Sequence, residues 1–215
     1  MLKVNEIFKS IQGESTFAGL PCTFVRLSCC NLRCSFCDTT YAYEEGAEMS
    51  LEEVIRIVEN LGCNLVEITG GEPLLQNDTR TLADSLLGKK YQVLVETNGS
   101  LNIDLLPYGA IRIMDIKCPD SGMSDKMDWD NIHRLRPADE VKFVVSSRMD
   151  YNWAKGIIDR YKLTDTAVVL ISPAFGSIEP KEIAEWLIED NSKARLQLQI
   201  HKYIWPTVDN EVLPR

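Results

Sequence analysis

Short apolar, β-branched runs alternate along the chain with amphipathic stretches, and that alternation sets the expected fold. Strands are predicted at 23–27, 65–69, 92–96, 111–116, 140–145, 167–171 and 195–200. Between them, helices are predicted at 50–61, 79–87, 151–161 and 179–189, where apolar positions recur at helical spacing. Leu51, Val54, Ile55 and Val58 make one such face, with Glu52, Glu53, Arg56 and Glu59 mostly opposite. Ser50 followed by Glu53 is a capping box that fixes the start of that helix, and Pro180 suits a first helical turn. Two weaker helical stretches, 101–106 and 129–135, are cut short by Pro107 and Pro137. Strand, helix, strand at this spacing implies an α/β fold with parallel strands and right-handed crossovers. No linker or repeat interrupts the chain, so a single domain over residues 1–215 is expected.

Parallel α/β sheets gather their chemistry at the carboxyl ends of the strands. Here the first predicted strand runs into a cysteine-rich stretch at 29–38. The second ends in Thr69-Gly70-Gly71-Glu72-Pro73, the third in Glu96-Thr97-Asn98-Gly99-Ser100, and the fourth in Asp115-Ile116-Lys117-Cys118-Pro119. The remaining tails are Ser146-Ser147-Arg148, Ser172-Pro173-Ala174-Phe175-Gly176 and the segment near His201 and Lys202. Loops are polar on any fold. Seven such tails on one rim of a curved sheet nevertheless make a site.

Composition narrows the chemistry. The hydrophobic fraction of 45% and charged fraction of 26% are those of an ordinary globular protein. A formal net charge of -9 argues against a phosphate-gripping surface, so no direct nucleic-acid partner is expected. There is no apolar run of membrane-spanning length and no apolar leader at the start, so a cytoplasmic location without membrane contact is expected. Seven cysteines, an odd number and partly clustered, do not look like a disulfide framework.

Cys30, Cys34 and Cys37 are spaced C-x3-C-x2-C. Three thiolates this close grip a soft metal and leave a fourth valence open. A zinc site normally takes four ligands in paired halves, and no second C-x2-C or H-x3-H is present. Counting from Cys29 instead gives C-x4-C-x2-C, the ferredoxin spacing, with Cys63 as a distant fourth ligand; that would be an electron carrier. Cys22, Cys63 and Cys118 otherwise read as buried filler. In the second tail, paired glycines let backbone approach a ligand closely, and Glu72 offers an acceptor for an ammonium group.

The cysteine spacing, Phe36 before the last cysteine and the Gly-Gly-Glu-Pro run together resemble the radical S-adenosylmethionine superfamily. The resemblance implies a 4Fe–4S cluster on Cys30, Cys34 and Cys37, with S-adenosylmethionine chelating the open iron. Reductive cleavage of the sulfonium would give methionine and a 5′-deoxyadenosyl radical. Phe36, Asp38, Gly71 and Glu72 become cofactor contacts by this resemblance, Lys117, Ser172 and Phe175 reach the adenosyl part, and Cys29 is a neighbour rather than a ligand.

A finer resemblance, over nearly the whole chain, is to the 7-carboxy-7-deazaguanine synthases. It is carried by Glu6-Ile7-Phe8, Ile11-Gln12-Gly13-Glu14, Gly19, Phe24-Val25-Arg26, Asp38-Thr39, Glu96-Thr97-Asn98-Gly99 and His201-Lys202-Tyr203. Such enzymes convert 6-carboxy-5,6,7,8-tetrahydropterin to 7-carboxy-7-deazaguanine with loss of ammonia, on the route to queuosine-type nucleosides in tRNA. The family implies an incomplete, TIM-like β/α barrel, Mg2+, a homodimer and an external one-electron reductant of flavodoxin or ferredoxin type. By position, Ile11, Gln12, Gly13 and Glu14 would hold the pterin edge and Thr69 would touch the substrate. Arg26 would pair the substrate carboxylate through its planar guanidinium, and Thr39 would bind Mg2+.

Two departures stand out. Ser15 occupies a place where glycine is usual, and a C-terminal extension at 203–215 continues past the His-Lys-Tyr segment, so a terminal-carboxylate contact does not transfer. His201 and Lys202 read equally as a packed pair or a site pair. The rival functions are a glycyl-radical-activating enzyme acting on a protein, and the electron carrier built on Cys29.

Overall fold

The computed structural model describes residues 1–205; the C-terminal extension beyond that point lies outside the described residues. β1 (Leu2–Ile11) and β2 (Pro21–Leu27) form an antiparallel pair, and β3 (Ala47–Met49) adds to the outer edge of β1. From β2 onward every neighbour is parallel: β4 (Leu65–Gly70), β5 (Gln92–Thr97), β6 (Ile111–Asp115), β7 (Glu140–Val145), β8 (Val168–Pro173) and β9 (Arg195–Leu196). The order β3-β1-β2-β4-β5-β6-β7-β8-β9 leaves β3 and β9 unjoined, so the nine-stranded sheet is an open, incomplete barrel. Its helices are α1 (Leu51–Leu61), α2 (Thr79–Gly88), α3 (Asn131–Arg134), α4 (Arg148–Tyr161), α5 (Leu163–Thr166), α6 (Pro180–Glu189) and α7 (Ile200–Ile204).

The expected helix signals are realised. Ser50 and Glu53 close the capping box at the start of α1, and Gly62 ends that helix in a left-handed conformation. Pro180 sits in the first turn of α6. Val54 and Val58 of α1, Leu82 and Leu86 of α2, Ala154 and Ile158 of α4 and Ile183 of α6 pack on one face of the sheet, against Val25, Val66, Ile68, Val93, Val95, Val141 and Phe143. The other face is layered. Phe24, Leu65, Leu94 and Ile113 form an apolar floor with Phe8 and Phe17. Strand side chains alternate faces with period two, so two residues further along each strand Arg26, Glu67, Glu96 and Asp115 stand above that floor.

At the amino ends of the strands, away from those tails, the Arg112 guanidinium is buried on Asp139, with Nε at 2.9 Å and Nη2 at 2.5 Å from Oδ2. Arg136 donates to the same carboxylate from Nη2, at 3.2 Å. Burial opposes ionisation of Asp139, but these two guanidiniums hold its carboxyl below the usual range.

The sequence pattern missed β1 and β3. Lys3, Asn5, Glu6 and Lys9 break up the apolar run of β1, and a bulge between Val4 and Glu6 shifts its register. The strand expected at 195–200 is only two residues long. Gln197 N still reaches Ile171 O, but the chain then turns into α7, with Ile200 N donating to Gly13 O at 3.0 Å. The weak helices shrink to a 3₁₀ turn at Ile103–Leu105 and to α3. Among the described residues, no helix is long and apolar enough to cross a membrane.

Candidate functional site

A cavity of about 620 Å³ opens at the carboxyl ends of the parallel strands. Its wall runs from Phe8 on β1 through Arg26, Thr69, Glu96, Asp115 and Lys142 on successive strands, and α7 covers one side with His201 and Lys202.

At one end lie the thiols. Cys30, Cys34 and Cys37 all line the cavity; Cys29 does not. The chain enters this loop through Cys29, which adopts φ 75°. Its N–H donates to Ala42 O at 2.9 Å, and its carbonyl accepts from Glu72 N at 2.7 Å. The Gly-Gly turn is needed for this docking, because a Cβ on Gly71 would lie 2.0 Å from Cys29 O. Cys63 precedes β4, whereas the cavity is at that strand's far end, and six strand residues span about 20 Å. Cys63 therefore cannot complete a ferredoxin-type set, and that alternative is withdrawn.

Among the described residues, no three His, Cys, Asp or Glu side chains converge as a single ion requires. A cluster takes each thiolate on a different iron, which suits three cysteines spread around a cavity wall. Burial pushes the Cys30 and Cys34 thiols up, so metal binding must displace their protons. Two donors already face Cys30 Sγ, Leu32 N at 3.4 Å and Asn98 Nδ2 at 3.8 Å, an arrangement suited to a charged sulfur. Thr39 precedes a 3₁₀ turn at Thr40–Ala42 without capping it. Its hydroxyl donates to Asp38 Oδ1 at 3.1 Å, and its oxygen keeps acceptor capacity for Mg2+, an ion that takes few protein ligands beside water and substrate.

At the other end is a buried charge network. Lys142 Nζ donates to Glu14 Oε2 at 2.7 Å and also to Glu96 Oε1, with Asp115 Oδ2 at 3.7 Å. Burial opposes ionisation of Glu14, but the Lys142 ammonium holds its carboxyl below the usual range. Glu67 is different. Burial first, then the carboxylates of Glu96 and Glu14, push it up to about 8, and its carboxyl accepts from Gln12 Nε2. Each cation of this wall has a carboxylate partner: Lys142 pairs with Glu14 and Glu96, Lys117 with Asp115 and Arg26 with Glu6.

Loop 12–15 is tied down on all sides. Gln12 Oε1 accepts from Glu14 N at 3.0 Å, and Gln199 Nε2 donates to Glu14 Oε1 at 2.7 Å. Ser15 N donates to Gln197 Oε1 at 2.8 Å. Ser15 itself has φ 64°, which accounts for glycine being usual there. Arg26 Nε donates to Glu6 Oε1 at 2.7 Å, and its guanidinium lies over the Phe8 and Tyr41 rings.

Most of the sequence-predicted site residues meet in this one cavity: Ile11, Gln12, Gly13, Glu14, Arg26, the three cysteines, Phe36, Asp38, Thr39, Thr69, Gly71, Lys117 and Phe175. Two do not. Glu72 is fully buried, and its carboxylate accepts from Leu74 N, Thr97 Oγ1 and Asn98 N at 2.9, 2.8 and 2.7 Å, so it braces the turn. Ser172 is buried and does not line the cavity, although Ala174 and Phe175 do. His201 and Lys202 face the cavity from a helix, and Lys202 Nζ pairs with Asp38 Oδ2 at 2.7 Å. Sequence reasoning gave no role to Glu67, Asp115, Lys142 or Gln199. Glu67 is the single charge inside an apolar strand, and Lys142 stands between Val141 and Phe143, a signal that was available.

A model of the radical SAM superfamily matches residues 25–114. The 7-carboxy-7-deazaguanine synthase of Chlorobaculum tepidum is 44% identical, over 95% of this chain and 94% of its own length. That of Koribacter versatilis is 40% identical, over 95% and 97%. Among solved structures, QueE from Escherichia coli covers 92% of this chain at TM-score 0.76 and 21% identity, a match of fold. SuiB of Streptococcus suis bound to S-adenosylmethionine matches at TM-score 0.55, with 79% of this chain on 48% of that one. Identity at this level over nearly the full length places the chain in the 7-carboxy-7-deazaguanine synthase family of radical S-adenosylmethionine enzymes.

Proposed function

We propose that this chain contracts the ring of 6-carboxy-5,6,7,8-tetrahydropterin to give 7-carboxy-7-deazaguanine, with loss of ammonia. The observation that carries this reading is the joining, in one cavity, of three wall thiols to Arg26 and the Lys142, Glu14 and Glu96 network. The family's cofactors are a 4Fe–4S cluster, S-adenosylmethionine and Mg2+. When bound, they supply a carbon radical that removes one hydrogen from the pterin.

The protein's part is binding and alignment. Cys30, Cys34 and Cys37 hold the cluster, and Phe36, Asp38, Gly71, Lys117 and Phe175 line the place for the sulfonium cofactor. Gln12, Gly13 and Glu14 present backbone and carboxylate partners to the amide and amino edge of the pterin. Arg26, steadied through Nε by Glu6, offers its fork to the substrate carboxylate. Thr39 supplies a Mg2+ ligand, and Thr69 touches the substrate. Pairing with Arg26 keeps the substrate carboxylate from being buried as a lone charge.

The finer reading is a one-domain homodimer in a reducing cytoplasm, served by a flavodoxin or ferredoxin. Its product feeds queuosine-type nucleosides. The deciding experiment is anaerobic turnover of reconstituted protein with reductant, S-adenosylmethionine, Mg2+ and the carboxypterin, read by mass spectrometry. Product of the expected mass is predicted for wild type and Cys29→Ser, and none for Cys30→Ser. No product from cluster-loaded wild type, or hydrogen loss from a glycine of a protein partner instead, would reject the assignment.

A further inference from the structure

Asn98 is buried in the tail of β5, and its side-chain amide donates to two acceptors on the cysteine loop: Asn31 Oδ1 at 3.0 Å and Cys30 Sγ at 3.8 Å. A primary amide carries two N–H groups, so both bonds form together. Oδ1 of Asn98 accepts from Ser100 N at 3.0 Å, which fixes the amide's orientation. Glu72 holds the assembly from behind, accepting from Asn98 N and Thr97 Oγ1 while its own N–H donates to Cys29 O. One buried carboxylate thus locks the β5 tail to the cysteine loop and sets an N–H against one chosen sulfur.

We propose that Asn98 raises the reduction potential of the cluster that Cys30 helps to hold, acting through an N–H···S bond that Glu72 keeps in place. The inference rests on the assignment of Cys30 as a cluster ligand, made above. Reduction adds negative charge that spreads onto the sulfur ligands, so a donor aimed at one of them stabilises the reduced form more than the oxidised form. Burial strengthens the effect, because little water is present to screen it. Leu32 N, at 3.4 Å from the same sulfur, is a second donor, but it belongs to the backbone and no substitution of its side chain removes it. Asn98 is therefore a positioning residue through which the external reductant's task is made easier.

The test compares full-length, reconstituted wild type with Asn98→Ala and Asn98→Ser, after iron and sulfide analysis. At a fixed solution potential the reduced-to-oxidised ratio, read by electron paramagnetic resonance, is expected to fall about tenfold in both variants, equivalent to about 59 mV for one electron. Glu72→Gln should fall between them and wild type. Independently of any variant, Fe–S(Cys) stretches of the wild-type cluster should shift in D2O, and part of that shift should vanish in Asn98→Ser. Full cluster occupancy with an unchanged potential, or a D2O shift of equal size with and without the amide, would overturn the proposal. If Asn98→Ala fails to hold a cluster, the serine variant and the wild-type isotope shift decide the matter. Retention of an intact cluster in Cys30→Ser would instead strike the ligand assignment beneath it.

Discussion

A methyl group placed on Gly13 would lie 1.9 Å from Nδ1 of His201, so the backbone of the 12–15 loop and the imidazole from α7 share one small space. That contact joins residues 188 positions apart and settles the ambiguity of His201 in favour of the cavity wall. Overpacking of this kind costs about 1–3 kcal/mol. Gly13→Ala should keep the fold but push α7 away, raising the KM for the pterin at least tenfold. The double variant Gly13→Ala/His201→Gly should regain most of the loss in steady-state kinetics. A wild-type KM in the single variant would show that the loop and α7 move freely.

Gly71→Ala meets a harder obstacle, since its neighbour at 2.0 Å is the Cys29 carbonyl, a backbone atom with nowhere to go. The expected result is a chain with normal far-ultraviolet circular dichroism that binds little iron on reconstitution. Full iron loading would mean that the cysteine loop does not depend on this close approach.

Lys142 bridges Glu14 and Glu96. Breaking a buried pair from one side costs about 3–5 kcal/mol, reduced here to about 1–3 kcal/mol because the two carboxylates are 20% and 26% exposed. Lys142→Met should lower the urea midpoint accordingly at an unchanged slope. Adding Glu96→Gln should recover part of the loss. An unaltered midpoint would remove the network from the stability of the fold.

Glu67 predicts a pH dependence. Its folded-state value of about 8 exceeds its ordinary 4.5, so the folded protein keeps this proton at neutral pH. The stabilisation is complete below about pH 4.5 and is lost as pH rises through about 8. Urea unfolding of wild type and Glu67→Gln at pH 5.5, 6.5 and 7.5 should diverge by up to about 1.4 kcal/mol per pH unit, with the variant gaining. Parallel curves would show that Glu67 is ionised in the folded chain.

Much of the site was legible in the sequence, because motifs at strand ends need only parallel strands to bring them together. The glycine pair, the three cysteines and the Gln12-Gly13-Glu14 run all reach the cavity. The bracing role of Glu72 was hidden, because the backbone N–H groups it accepts from include one 26 positions further along the chain, at the end of β5. The end of the chain misled for a similar reason. Gln197 and Gln199 in the run 195–200 look like strand residues, but their side chains bond Ser15 N and Glu14 across 182 and 185 positions and draw the backbone off the sheet. Hydrogen bonds of such range leave no periodic trace. β1 was hidden by its own bulge and polar residues, although it frames the floor through Phe8.

The Arg112–Asp139 pair fastens the strands at the end remote from the thiols. The barrel therefore has its clasp and its mouth at opposite poles, and loss of a cluster from the thiols would leave the clasp in place. Such an apoprotein would be a vessel awaiting refilling rather than debris for proteolysis.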